Sequence, residues 1–206
     1  MKPNAMMLSA AQWRAGWPLW LWLLITAALL LWPDAVSELR YQRPDVNAGA
    51  WWRLFTANLV HSNGWHWLLN AASVVFQYWL FQGLGSRAKW WLVAAFCTVC
   101  NVLGMHLFSP GVAWYVGMSG ALYGIAVFGG LLLLANREWL VGGVLSAYLL
   151  GRILYEQLGG HTEELAELIA APVAVDAHLW GLSCGYLLGA LLIGIPLLRR
   201  RSGATQ

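Results

Sequence analysis

In the stretch VGMSGALYGIAVFGG, residues 116–130, one serine stands between two glycines where a turn gives way to an apolar run. A serine hydroxyl becomes a nucleophile when a base takes its proton, and a histidine titrating near neutrality is the usual base. The segment AHLWGLSCGYLLG, residues 177–189, holds such a histidine, His178, followed by Gly181, Gly185 and Gly189. Small residues every four positions let a neighbouring helix backbone approach closely, and Gly120 and Gly124 offer a matching stripe beside Ser119. Packing the two stripes together brings His178 next to Ser119 and Tyr123 and forms a Ser-His dyad. Asp176, two residues from His178, points to a different side of a helix, and no other carboxylate is obviously placed to orient the ring. The pattern therefore predicts a dyad rather than a triad, with Tyr123 stacked on the imidazole.

Attack on a carbonyl also requires hydrogen-bond donors for the oxyanion. In HSNGWHWLLN, residues 61–70, His66 and Asn70 lie four apart and so share one helix face. Their side chains, with the backbone N–H of Ser119 at a helix N-terminus, are the candidate donors. Taken singly, a serine in an apolar helix often bonds only its own backbone carbonyl one turn back, and a lone GxSG is a weak motif. The strand-to-helix elbow of soluble hydrolases does not apply to a chain without predicted strands. The joint placement of three polar clusters in the same half of the membrane carries the reading.

The elements that must hold these residues are helices in lipid. The chain is 60% hydrophobic and only 10% charged, with a mean hydropathy of +0.59, which excludes an ordinary soluble globular domain. Apolar stretches able to cross a hydrocarbon core of about 20 residues' helical length are read at 17–32, 65–81, 90–108, 119–135, 139–157 and 175–198. Six spans occupy nearly all of residues 1–206, predicting an all-α polytopic protein with a single membrane domain. Five later spans require an anchor, so the N-terminal apolar segment reads as the first span and not as a cleaved signal peptide.

Lys2, Arg14, Arg87, Lys89, Arg137 and the run Arg199-Arg200-Arg201 fall on one side of that arrangement, which should be cytoplasmic. Asp34, Glu38, Asp45, Glu163, Glu164 and Glu167 fall on the other, with Arg40, Arg43 and Arg53. The net charge of +3 is thus a topology signal and not a nucleic-acid footprint. Cys97, Cys100 and Cys184 lie within predicted helices and lack the loop and histidine context of a zinc site. No metal or cofactor is expected. Arg152 and Glu156, four apart in the fifth span, read as a structural ion pair, with Glu156 near the outer surface where snorkelling is cheap. The segment HTEELAELIAAP, residues 161–172, reads as a short amphipathic surface helix before the sixth span, and His106 and His161 read as interfacial residues.

From about residue 51 to residue 189 the chain resembles the rhomboid intramembrane serine proteases. The resemblance rests on Trp52-Arg53, on His61 with the His66-Trp-Leu-Leu-Asn70 pattern, on Gly117-Met-Ser119-Gly120 with Tyr123, and on Ala177-His178-Leu-Trp-Gly181. It implies Ser119 as nucleophile, His178 as general base and acid, His66 and Asn70 as oxyanion donors, His61 at a hydrated cavity, and Trp52-Arg53 as the signature of a structural first loop. Total length, the approach LRYQRPDVNAGAWWRLFTANLVH and six spans without a seventh make the chain most similar to the rhombosortase branch. That narrower resemblance implies a transmembrane substrate with a GlyGly-CTERM sorting tail: a Gly-Gly motif, a transmembrane helix and a basic end. It also implies the inner membrane of a Gram-negative bacterium, both termini cytoplasmic and the site opening to the periplasm. The competing expectations are a generic rhomboid protease with broader substrates, a catalytically dead client-binding relative, and a small channel or transporter; the last should show internal repeats, and none is found.

Overall fold

The computed structural model describes residues 10–196. Lys2, Arg199-Arg200-Arg201 and the predicted end of the sixth span at residue 198 lie outside the described residues. Helix α1, Ala10–Ala15, leads into α2, Trp17–Ala28, which closes in a 3-10 turn at Leu29–Leu31. Three short helices follow in the first loop: α3, Ala35–Leu39; α4, Arg43–Asn47; and α5, Arg53–Thr56. The long helices are α6, Gly64–Phe81; α7, Arg87–Phe108; α8, Ser119–Ala135; α9, Trp139–Gln157; and α11, Val175–Gly189, which runs on through a π turn at Ala190–Gly194. The acidic segment forms α10, Glu163–Ile169. A helix thus lies on each of the six apolar stretches.

By length and composition, two of these helices are able to cross a membrane: Arg87–Phe108, with a mean hydropathy of 1.7, and Val175–Gly194, with 1.4. Trp17–Leu31 and Ser119–Ala135 are apolar but shorter. Helices α6 and α9 are 18 and 19 residues long, and polar residues interrupt both: His66, Asn70 and Gln77 in one, Arg152 and Glu156 in the other. The residues that dilute the apolar signal are the ones that face the cavity described below.

Helix α8 is buried along most of its length, as a helix apolar on every side must be. It packs against α7, α9 and, most closely, α11. The glycine stripes meet there. A Cβ on Gly181 would overlap the carbonyl oxygen of Gly120, and one on Gly185 would overlap that of Gly124. In the other direction, a Cβ on Gly120 would lie 2.7 Å from the carbonyl oxygen of Ala177, and one on Gly124 would lie 2.6 Å from that of Gly181. No side chain separates the two backbones. Gly189 continues the stripe against the Leu131 side chain.

The first loop is fastened by arginines. The Arg43 guanidinium donates to the carbonyls of Met105, His106, Ser109 and Val112, satisfying acceptors that the C-terminus of α7 leaves open. Arg53 is buried and donates to the carbonyls of Ser37 and Arg40, with Asp45 3.2 Å away. Its neighbour Trp52 is exposed. The expectation of a chain without strands meets one small exception: β1, Tyr41–Gln42, pairs antiparallel with β2, Trp114–Tyr115. This ladder ties the first loop to the turn that precedes Ser119. Cys97, Cys100 and Cys184 are free thiols.

Candidate active site

Gly117, at φ +100°, makes the turn from which α8 departs. That backbone region is open to glycine at little steric cost. Ser119 is the first residue of α8, so its N–H belongs to the turn that has no intrahelical acceptor. His178 lies in the first turn of α11. Because the glycine stripes bring α8 and α11 into backbone contact, the two side chains meet: His178 Nε2 is 2.9 Å from Ser119 Oγ. The Tyr123 ring stacks on the imidazole, with centroids 4.5 Å apart and planes 22° from parallel.

A carboxylate does face the histidine, contrary to the expectation of an unassisted pair. Glu156 Oε2 lies 2.8 Å from His178 Nδ1. Its other oxygen, Oε1, accepts from Arg152 Nε at 2.8 Å. The expected Arg152–Glu156 pair therefore exists, but it is not superficial. The Glu156 side chain has no solvent exposure, while that of Arg152 is 28% exposed. The carboxylate comes from the end of α9, a helix that packs against both α8 and α11, and a reading confined to the neighbours of His178 in sequence could not find it.

Across the cavity, His66 and Asn70 project from α6 toward the Gly117 turn. A Cβ on Gly117 would collide with His66 Nε2 and would lie 3.5 Å from Asn70 Nδ2. Asn63 caps α6 by accepting from the His66 N–H at 2.8 Å, and its amide donates to the Leu168 carbonyl at 2.9 Å. The Ser62 hydroxyl bonds both the Ile169 carbonyl and His66 Nδ1, the latter at 2.9 Å. A carbonyl only accepts, so the single hydroxyl proton goes to Ile169 and Ser62 accepts from His66 Nδ1–H. Neutral His66 then turns an unprotonated Nε2 toward the cavity. Asn70 uses one amide proton on the His66 carbonyl at 3.1 Å and retains a second.

His61 packs edge-on against His66 at 5.1 Å. It is buried, and neither ring nitrogen has a partner. Burial, with His66 as the lesser cause, holds its pKa down to about 3, so the ring is neutral. Behind the serine, Tyr115 accepts the Gly120 N–H at 3.3 Å. Burial pushes its phenol up to about 12, so it remains a donor. Tyr115 and Glu156 are the site neighbours that sequence reasoning missed. Tyr115 carried no signal, whereas an ionisable pair inside a span marks a candidate by default.

These groups share one cavity of about 690 Å³, whose walls include His66, Asn70, Ser119, Tyr123, Glu156 and His178. Residues Ala171–Val175, which follow α10, also line it. Trp52, Arg53 and His61 are not among the lining residues. Trp52 and Arg53 belong to the first loop, and His61 sits behind His66.

Comparison with known proteins agrees with this arrangement. A family model described as "Rhomboid domain" matches residues 48–195, which contain every residue of the site. The chain is similar to "Putative rhomboid protease YdcA" of Bacillus subtilis (strain 168), at 29% identity over 177 residues, covering 85% of this chain and 83% of the relative. Together with its apolar helices this makes the molecule an integral membrane protein. The chain belongs to the rhomboid family of intramembrane serine proteases.

Proposed function

We propose that the protein cleaves transmembrane substrates with Ser119 as nucleophile and His178 as general base and acid. The observation that carries the assignment is the 2.9 Å contact between Ser119 Oγ and His178 Nε2 in a cavity that also presents amide donors. As the Ser119 oxygen bonds the scissile carbonyl carbon, its proton passes to His178 Nε2 and the carbonyl electron pair collects on oxygen. The Ser119 N–H and the second Asn70 amide proton stabilise that charge. His66 joins them once the Ser62–Ile169 bond opens and lets the tautomer exchange. Collapse expels the amine, which takes the proton from Nε2, and water repeats the sequence on the acyl-enzyme. Removing one donor of this kind costs about 3–4 kcal/mol of transition-state stabilisation. Tyr123 steadies the imidazole, Gly117, Gly120 and Gly181 set the backbone, and Arg53, next to the exposed Trp52, braces the first loop. The orphaned nitrogens of His61 support a water-holding role.

The substrate we favour is a transmembrane helix preceded by Gly-Gly and followed by a basic tail, the rhombosortase type. Each glycine weakens a helix by about 1 kcal/mol relative to alanine, so such a pair unwinds into the extended form an attacking serine needs. The six helices are read as six spans in a bacterial inner membrane. Supporting that orientation, Arg87 opens α7 and Arg137 follows α8, each at the end of its helix away from Ser119. The termini are then cytoplasmic and the cavity faces the periplasm.

The test is co-expression with a reporter ending in Gly-Gly, a transmembrane helix and an Arg-rich tail. Tail loss is scored for the parent, Ser119→Ala and His178→Ala at matched membrane levels. Loss with the parent alone is expected, and a Gly-Gly to Leu-Leu reporter should resist. Cleavage that survives in Ser119→Ala overturns the nucleophile. Cleavage of other transmembrane reporters but never of this one overturns the substrate and favours the generic protease.

A further inference from the structure

The residues given roles above stand on α6, α8 and α11, in the first loop or in the turn before α8, yet α9 brings a complete ion pair into the same cavity. A buried charge pair is a poor stabiliser, because desolvation offsets most of its attraction and apolar residues of the same size often serve better. In a membrane helix that argument is stronger still. Glu156 nevertheless has both oxygens engaged, one by Arg152 and one by His178. An ionised carboxylate only accepts, so it requires the proton of His178 to sit on Nδ1. The bare Nε2 is then the nitrogen 2.9 Å from the Ser119 hydroxyl, the tautomer a general base must have. Arg152 thus fixes, through one oxygen, the carboxylate whose other oxygen faces Nδ1.

We infer that Glu156 is a positioning residue that makes Ser119, His178 and Glu156 a hydrogen-bonded triad, with Arg152 keeping the carboxylate ionised. This rests on the assignment of Ser119 and His178 above. The proton taken from Ser119 resides on Nε2 and is later given to the leaving amine. The Nδ1 proton stays on the ring throughout, and Glu156 offsets the imidazolium charge without itself being protonated. The titratable and charged groups around His178 are Ser119 and Tyr123 from α8, Glu156 and Arg152 from α9, Asp176 on its own helix and His66 across the cavity. Among the described residues, Glu156 is the one carboxylate that bonds the ring.

The test uses the full chain in detergent or proteoliposomes. Ser119 reactivity is read first by fluorophosphonate labelling, which needs no knowledge of the substrate, and then by cleavage of the Gly-Gly reporter. Glu156→Gln should lower the labelling rate and kcat by about 10²–10⁴-fold, leaving KM within about threefold because no substrate contact is lost. Glu156→Asp should recover part of the rate. A merely structural pair predicts loss of folded protein instead. For that reason the double variant Arg152→Met with Glu156→Leu, which removes both charges and keeps the volume, is melted and labelled alongside. A stable but slow double variant supports the inference. A folded Glu156→Gln, or a stable double variant, that labels within about threefold of the parent overturns it. Labelling that persists in Ser119→Ala overturns the underlying assignment, whatever Glu156 does.

Discussion

The two walls of the cavity are built by different means. On the side of the proposed nucleophile, α8 and α11 touch backbone to backbone, and α9 adds a carboxylate locked by an arginine. On the side of the proposed oxyanion donors, α6 is joined to α10 by the side chains of two consecutive loop residues, Ser62 and Asn63, which reach the carbonyls of Ile169 and Leu168. The first wall has no torsion that can relax. The second consists of single hydrogen bonds, each worth about 1 kcal/mol net, that break one at a time. A Ser-His contact must hold to within tenths of an ångström, whereas the bonds that join α6 to α10 can give without disturbing it.

The sharpest way to break this contrast is Gly181→Ala. The added methyl lands on the Gly120 carbonyl oxygen, and neither backbone has a rotamer to move. Overpacking of this kind costs about 3 kcal/mol or more, and a displacement of about 1 Å between Ser119 and His178 lowers the rate about 100-fold. Thermal unfolding in detergent and reporter cleavage should both fall. A variant that keeps parental activity would show that the interface is softer than its geometry.

Gly117→Ala comes next. Its φ of +100° is strained for alanine, at a cost of about 1–3 kcal/mol, and its methyl meets His66 Nε2. The imidazole can swing away, so the fold should survive better than with Gly181→Ala while kcat falls by up to about 10²-fold. The diagnostic result is a kcat loss out of proportion to the change in melting temperature.

The same division separates what is legible in the sequence from what is not. The stripe from Gly120 to Gly189 and the i, i+4 pair of His66 and Asn70 are periodic, and periodicity on a helix fixes a face. Residue spacing alone therefore suffices to bring Ser119, His178 and Tyr123 together. Glu156 needs the rotation of α9 against two other helices, which is set by side-chain packing. Reading it as a surface residue places its depth wrongly by relying on its distance from the helix end. The β1–β2 ladder is invisible because two residues are too few for an alternating pattern. Arg43 counts in the sequence only as a charge, yet it caps α7 through four carbonyls distant in the chain.

Asn63→Ala probes the compliant wall. It removes the cap on α6 and the bond to Leu168, each about 1 kcal/mol, and touches no reacting atom. Hydrogen exchange across residues 163–169 should rise about fivefold, with fluorophosphonate labelling of Ser119 unchanged. If labelling fell as far as exchange rose, the two walls would be mechanically coupled and the contrast drawn above would fail.

The smallest effect is expected where the rigid wall ends, and two adjacent glycines of α9 mark the place. A Cβ on Gly142 would meet the Gly130 carbonyl oxygen at 3.0 Å and Leu134 Cγ at 2.9 Å, while a Cβ on Gly143 would meet nothing within 4 Å. Gly143→Ala should therefore leave activity unchanged and raise stability by about 0.5–1 kcal/mol, the ordinary gain of alanine in a helix interior. Gly142→Ala should lower the melting temperature, because α9 must retreat from α8 to admit the methyl. Measuring the two side by side cancels helix propensity, which is the same for both, and leaves packing alone. Opposite signs at neighbouring positions would show that the close approach of α8 and α9 is set residue by residue. Equal effects would mean that the helices slide apart as units, and the carboxylate at the end of α9 could not then be held to His178 by this interface.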